Sequence, residues 1–289
     1  MRRTCKIDRC RATSLAVPIL LGPLAVPIRP ARAQAVPPGT GRARFDILEH
    51  MSATETRTAP AVVFDLDGTL VDSEPNYYEA GRRVLAAHGV TGFSWAEHTR
   101  FIGIGTRETL EILRREHGLS APVDELLAEK NRHYLELARA GTEVFPEMRK
   151  LVERLHAAGH PLAVASGSSR AAIDTVLSAT SLEGLLPLRV SAEEVAHGKP
   201  EPDVFLEAAR RLGVSPGGCV VLEDAPPGAE AARRAGMRCV AVPYVRGTET
   251  DPAFAGAGLL FVGGQREFDA GRTYAWINGD PATRHRGAG

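Results

Sequence analysis

The chain has 289 residues, enough for one large core or two modest ones, with apolar and charged contents (44% and 24%) ordinary for a globular protein. Its 35 basic residues balance 35 acidic ones, so no net charge draws it toward nucleic acid or an anionic membrane. No run reaches the ~18 apolar residues of a membrane helix.

The balance hides an asymmetry. Residues 1–50 hold nine Lys/Arg against three Asp/Glu, which leaves the rest of the chain acidic. Arg2 and Arg3 precede a mildly apolar run over residues 14–28, and Ala31-Arg32-Ala33 follows like the cleavage site of an export signal. Pro18, Pro23 and Pro27 interrupt that run, and Arg29 and Arg32 stand where such a signal is usually neutral. The expectation is an unstructured extension over residues 1–58, with Met51 as the working start, and a cytoplasmic protein. Export would require residues 1–35 to act as the signal. Cys5 and Cys10 lie in this extension, while Cys219 and Cys239 fall in apolar stretches that predict buried, inert thiols.

Val62, Val63 and Phe64 read as the end of a strand buried on both faces. It runs into Asp65-Leu66-Asp67-Gly68-Thr69. In extended backbone, residues i and i+2 point the same way, so Asp65 and Asp67 face one site. Two carboxylates there repel each other unless a cation lies between them or one carries a proton; the alternative is a solvated aspartate-rich turn. Next come a helical stripe of Ala80, Val84, Leu85 and Ala87 that stops at Gly89, and predicted helices over residues 106–117 and 123–138. No strand pattern occurs from 74 to 141, so this block is expected to be a small all-helical insertion.

Beyond it the pattern alternates. Met148, Leu151, Val152 and Leu155 mark a helix that ends at Gly159. Strands are predicted at residues 162–165, 188–190, 219–222, 238–242 and 259–262, with helices at 171–179, 203–212 and 229–235 and a closing helix within 265–277. The fold class is α/β: a Rossmann-like parallel sheet flanked by helices, its core formed by residues 59–73 and 142–289, with the helical block 74–141 inserted after the first strand.

In such sheets a ligand lies beyond the carboxyl ends of the strands. The first predicted strand ends in Asp65 and Asp67. The strand at 162–165 ends in Ser166-Gly167-Ser168-Ser169, a hydroxyl and a run of N–H groups at a helix start that suit an anion, or a simple helix cap. The strand at 219–222 ends in Glu223-Asp224, and Lys199 precedes Pro200 and Pro202 just before a helix. Carboxylates for a divalent cation, a hydroxyl with N–H donors and a fixed lysine suit a phosphoryl group.

As a set, Asp65-Leu66-Asp67-Gly68-Thr69, Ser166, Lys199-Pro200 and Glu223-Asp224 resemble the four motifs of the haloacid dehalogenase superfamily, over roughly residues 60–262. The helical block resembles that superfamily's small cap. Asp72-Ser73-Glu74-Pro75 and Gly198-Lys199-Pro200-Glu201-Pro202-Asp203 are similar to the subgroup of beta-phosphoglucomutase and related sugar-phosphate phosphatases. The resemblance implies that Asp65 is the nucleophile and Asp67 the general acid and then base, with Thr69 hydrogen-bonded to Asp67. It implies Mg2+ held by Asp65, the backbone carbonyl of Asp67 and Asp224, with Glu223 in or beside the shell. Ser166, Gly167 and Lys199 would bind the phosphoryl group. Arg107 and Lys130 match cap positions that reach toward substrate; otherwise they are exposed helix charges.

The implied activity is a magnesium-dependent phosphatase acting on a small phosphorylated metabolite, a sugar or polyol phosphate, through an aspartyl phosphate. The alternatives are a phosphosugar mutase and a non-catalytic phosphate-binding protein. Tyr77 stands where the mutase has a gating histidine. A phenol that titrates near ~10 does not share protons at neutrality as imidazole does, which favours the phosphatase. A cis Lys199–Pro200 bond is expected as a means of fixing the lysine's loop.

Overall fold

The computed structural model describes residues 59–279. The expectations for the extension, including a signal within residues 1–35, the start at Met51, and Cys5 and Cys10, lie outside the described residues.

Among the described residues, eight strands and nine α-helices follow one another. First come β1 (Ala61–Phe64), β2 (Val71–Asp72), and the helices α1 (Glu74–Ala87), α2 (Trp95–His98), α3 (Thr106–His117) and α4 (Val123–Ala140). The chain then returns through β3 (Glu143–Val144) and α5 (Pro146–Ala157) to β4 (Leu162–Ser166), α6 (Arg170–Ala179) and β5 (Leu188–Ser191). It finishes with α7 (Asp203–Leu212), β6 (Cys219–Glu223), α8 (Pro226–Arg234), β7 (Arg238–Ala241), β8 (Leu259–Leu260) and α9 (Ala270–Ile277).

Six of the strands form one parallel sheet in the order β5-β4-β1-β6-β7-β8. Alternation along the strands feeds two cores. Val62, Phe64, Val164 and Leu222 pack on one face with residues of α5, α6 and α9, while Val63, Ala165 and Val221 pack on the other with Phe205 of α7 and Ala232 of α8. Burial on both faces is why these strands read as continuous apolar runs. Cys219 and Cys239 are buried free thiols in the second core, as expected.

The chain builds β4 and β5 on one side of β1, then crosses to build β6 to β8 on the other. The switch in strand order therefore falls at β1, and the crevice beyond its carboxyl end is where ligands bind in such sheets. The helices between β2 and β3 have a core of their own, made by Val84, Leu85, Phe93, Phe101, Leu110 and Leu126. The two chain crossings into this block pair as an antiparallel ribbon, Val71 with Val144 and Asp72 with Glu143. No such ribbon is expected from the sequence, because two-residue strands carry no period. Among the described residues, no helix is long and apolar enough to cross a membrane.

Candidate active site

Asp65 leaves β1 with its backbone N–H on the carbonyl of Leu222, 3.0 Å away, which ties it to the end of β6. The chain then turns at Gly68, where φ is +79° and a Cβ would stand 2.4 Å from Asp224 Oδ2. Only glycine suits that turn. Gln265 donates to the carbonyls of Gly68 and Thr69 at 3.1 and 3.0 Å and fixes the loop from behind. On the next strand Ser166 is the last residue of β4, and Ser169, not Ser166, caps α6 through Ala172 N. That leaves Ser166, Gly167 and Ser168 to line the crevice. Lys199 arrives on the loop before α7 with a cis bond to Pro200, as expected.

These pieces converge. Lys199 Nζ donates to Asp65 Oδ1 at 2.5 Å and to Glu223 Oε1 at 2.6 Å. The other oxygen of Glu223 accepts the N–H groups of Asp224 and Ala225 at 2.8 and 3.0 Å. Gly228 of α8 makes room for this carboxylate, since a Cβ there would lie 1.7 Å from Glu223 Oε1. Asp65, Glu223 and Asp224 each bring a carboxylate oxygen within 4.8 Å of the others, and all three are buried. One lysine does not offset three buried carboxylates. Burial, with Glu223 and Asp67 adding to it against Lys199, pushes Asp65 up to about 8. Burial together with Glu223 and Asp65 pushes Asp224 well up. Burial opposes the charge of Lys199, yet Asp65 and Glu223 outweigh it and hold the ammonium above its usual range. The cluster is short of positive charge, and its three hard carboxylate donors suit a divalent cation.

Asp67 points to the other side. Ser73 donates to its Oδ1 at 2.6 Å; Ser168 and Ser166 donate to its Oδ2 at 2.6 and 3.3 Å. Burial raises its pKa against these three hydroxyls, with Glu74 adding to the rise. Thr69 does not hold Asp67: its hydroxyl donates to Asp224 Oδ1 at 3.2 Å, because the turn at Gly68 carries it to the opposite wall. The brace on Asp67 is Ser73, with Ser168 from the facing loop.

The inserted helices close over the crevice, leaving a cavity of about 240 Å3 lined by residues of both parts. Tyr77 reaches down so that its Oη lies 2.6 Å from Ser168 Oγ. Burial, and then Asp67, pushes its phenol well above the usual range. Lys130 lines the cavity, buried to 6% exposure, with Nζ 5.5 Å from the centre of the Tyr77 ring. Arg107 does not reach the cavity. It lies on the outer surface, paired with Asp124 at 2.6 Å. Two lining residues escape the sequence reading: Glu74 at the start of α1 and His98 at the end of α2, whose Nε2 lies 2.8 Å from Glu74 Oε2 with both buried. Glu74 lies in the quoted Asp72-Ser73-Glu74-Pro75 motif, and Ser94-Trp95-Ala96-Glu97 is a capping box that marks the short helix ending in His98.

Comparison with known proteins gives the class. The haloacid dehalogenase-like hydrolase family matches residues 59–236, more than half of the chain, and the chain belongs to that family. It is 33% identical to protein CbbY of Rhodobacter capsulatus over 67% of this chain and 90% of that protein. It is 34% identical to the phosphorylated carbohydrates phosphatase of Thermotoga maritima over 61% of this chain and 82% of that protein. Among solved structures, CbbY from Rhodobacter sphaeroides in complex with xylulose-(1,5)bisphosphate superposes with a TM-score of 0.64 at 29% identity, covering 71% of this chain and 94% of that one.

Proposed function

We propose that this phosphoric monoester hydrolase is a magnesium-dependent phosphatase of a small sugar or polyol phosphate, and that residues 74–141 act as a cap over the core formed by 59–73 and 142–289. The observation that carries the reading is the division of labour around the end of β1. Asp65 lies with Lys199, Glu223 and Asp224 on one side, and Asp67 is held apart among hydroxyls on the other. Two carboxylates in different surroundings take different roles.

A carboxylate oxygen of Asp65 attacks phosphorus, and the bond from phosphorus to the ester oxygen breaks as the aspartyl phosphate forms. Asp67, whose burial favours the protonated form, delivers its proton to the leaving oxygen. It then takes a proton from the water that attacks the aspartyl phosphate, which releases inorganic phosphate and restores Asp65. Lys199, Ser166 and the N–H groups after β4 bear on the phosphoryl oxygens as their charge redistributes. Mg2+, held by Asp65, Asp224 and the carbonyl of Asp67 beside Glu223, would neutralise phosphoryl charge and orient the group for in-line attack. Tyr77 in the gating position favours hydrolysis over transfer, since its buried phenol keeps its proton. The balanced charge gives no reason to invoke a nucleic-acid or membrane partner, and a cytoplasmic setting suits a metabolite phosphatase.

A screen of phosphorylated metabolites with release of inorganic phosphate as readout tests this reading. Release from sugar or polyol phosphates, lost on chelation of divalent cations, is expected. Conversion of a hexose 1-phosphate to its 6-phosphate with negligible phosphate release would replace the phosphatase by the mutase.

A further inference from the structure

Gln265 stands outside every motif of the site and beyond residue 236, where the family match ends, yet it grips the loop on which the site turns. Its Nε2 donates to the carbonyls of Gly68 and Thr69 at 3.1 and 3.0 Å. Two acceptors at that end decide which way the amide faces, since its oxygen there would meet two carbonyl oxygens. The outcome leaves Oε1 buried with no hydrogen-bond partner. A buried acceptor without a donor costs stability, so this amide is held in place against its own interest.

What the two bonds hold is the turn after Asp67. The carbonyl of Leu66 accepts from the N–H groups of Leu70 and Val71, and that of Leu70 from Phe145. With Gln265 on Gly68 and Thr69, every carbonyl from 66 to 70 has a donor except that of Asp67, which has none among the described residues. This is the carbonyl that the proposed function gives to Mg2+. Its own peptide is held on the N–H side, from Gly68 to the Val71 carbonyl at 2.9 Å, and the next two peptides are held by Gln265.

The same grip reaches a second group of the cation site. Thr69, whose carbonyl Gln265 holds, donates its hydroxyl to Asp224 Oδ1 at 3.2 Å. Gln265 is itself seated beside Asp224. Gly264 approaches Pro243 so closely that a Cβ would lie 2.4 Å from that residue's carbonyl oxygen. Tyr244, next along, donates its N–H to the carbonyl of Asp224 at 3.3 Å. Phe261 and Phe268, buried with ring centres 5.1 Å apart, anchor the segment on either side of Gln265. The amide therefore spans from a support fixed to Asp224 to the turn that follows Asp67.

We propose that Gln265 is a positioning residue for the cation site: it sets the open carbonyl of Asp67 and, through Thr69, the carboxylate of Asp224, and thereby the affinity for Mg2+. This rests on the magnesium-dependent reading of the site and adds to it a residue from the far end of the described chain. Gln265 acts only through the groups it holds, so its loss bears on affinity more than on turnover.

The test is calorimetric titration of Mg2+ into the full chain without substrate. Gln265→Met keeps the length of the side chain and removes both donors. Its Kd for Mg2+ should rise roughly 10–100-fold, the range for a lost partner behind a metal ligand. The Mg2+ concentration giving half-maximal phosphate release should rise with it, while kcat at saturating Mg2+ falls by a smaller factor. Phe268→Leu loosens the same segment without touching the turn, and its Kd should stay parental. A rise of less than roughly tenfold in Gln265→Met, or an equal rise in Phe268→Leu, overturns the inference and leaves the phosphatase reading standing. If Gln265→Met does not fold, Gln265→Asn, too short to reach both carbonyls, takes its place under the same criteria. A parent chain that binds no Mg2+ overturns the magnesium-dependent reading and this inference together.

Discussion

Replacing Lys199 by Met separates the charge of this side chain from its bulk. The aliphatic stem survives beside Phe205, whose ring centre lies 4.9 Å from Nζ. What is lost is the ammonium between Asp65 at 2.5 Å and Glu223 at 2.6 Å, where the three side chains retain only 12%, 8% and 2% exposure. Removing one partner of a buried ion pair costs about 3–5 kcal/mol, because the remaining charges stay buried without compensation. For an ordered region of this size that is a fall in Tm of roughly 6–20 °C. The measurement is thermal unfolding of Lys199→Met and the parent chain in a chelator, with phosphate release followed separately. Part of the loss should return with Mg2+, since a cation restores positive charge to the same carboxylates. Melting within ~2 °C of the parent in chelator would refute the claim that Lys199 holds a charge-deficient cluster together, because such a small shift is below any buried-pair cost.

Asp65→Asn should abolish phosphate release while leaving the circular dichroism of the fold in place; residual turnover above a few per cent would remove Asp65 as nucleophile. Mg2+ at ~100 times its Kd should stabilise the parent by about 2.7 kcal/mol, seen as a higher Tm, and Asp224→Asn should abolish the shift; an unchanged shift in Asp224→Asn would take this carboxylate out of the cation site. Gly228→Ala places a Cβ 1.7 Å from Glu223 Oε1 and should lower the urea midpoint by the equivalent of roughly 1–3 kcal/mol. A parental midpoint would mean the helix shifts freely away from the carboxylate.

The sheet was legible because its strands are buried on both faces, and most of the candidate site because its loops follow strand ends; Lys199 comes instead from the loop before α7. Asp65, Ser166 and Glu223-Asp224 occupy positions that the α/β topology brings together whatever the loops contain. The side supplied by the inserted helices was not legible in the same way. Glu74, His98 and Lys130 come from three helices far apart in sequence, and only the packing of the inserted core aims them at one cavity. Arg107 and Lys130 look alike as helix charges. One pairs with Asp124 at the surface while the other is carried inward, a difference set by tertiary contacts. Thr69 departs from the expectation for a local reason: the positive φ of Gly68 swings the next hydroxyl toward Asp224. The β2–β3 ribbon is too short to leave a pattern, although it is where the chain crosses between the two parts.

Lys130 also gives the clearest case of stability given up for function. Burial pushes its ammonium down to about 8, with Glu74 pulling the other way. Below that pH the lysine is protonated in both the folded and the unfolded chain, so folding bears the whole cost of burying a charge. As pH rises from about 8 toward the unfolded value near ~10.4, the unfolded chain alone keeps the proton, and stability should rise across that window. Lys130→Met removes the cost at its source. The difference between the ordinary 10.5 and about 8 corresponds to about 3 kcal/mol at pH 7. The variant should therefore be more stable than the parent by about that amount at pH 7, with the advantage shrinking by pH 9.5. Its kcat/KM for sugar or polyol phosphates should fall, since Lys130 lines the cavity that the phosphatase reading assigns to the substrate. Urea unfolding of both chains at the two pH values, beside phosphate release, measures both sides. A variant no more stable than the parent at pH 7, or a gap independent of pH, would mean that the charge of Lys130 is already offset in the folded chain.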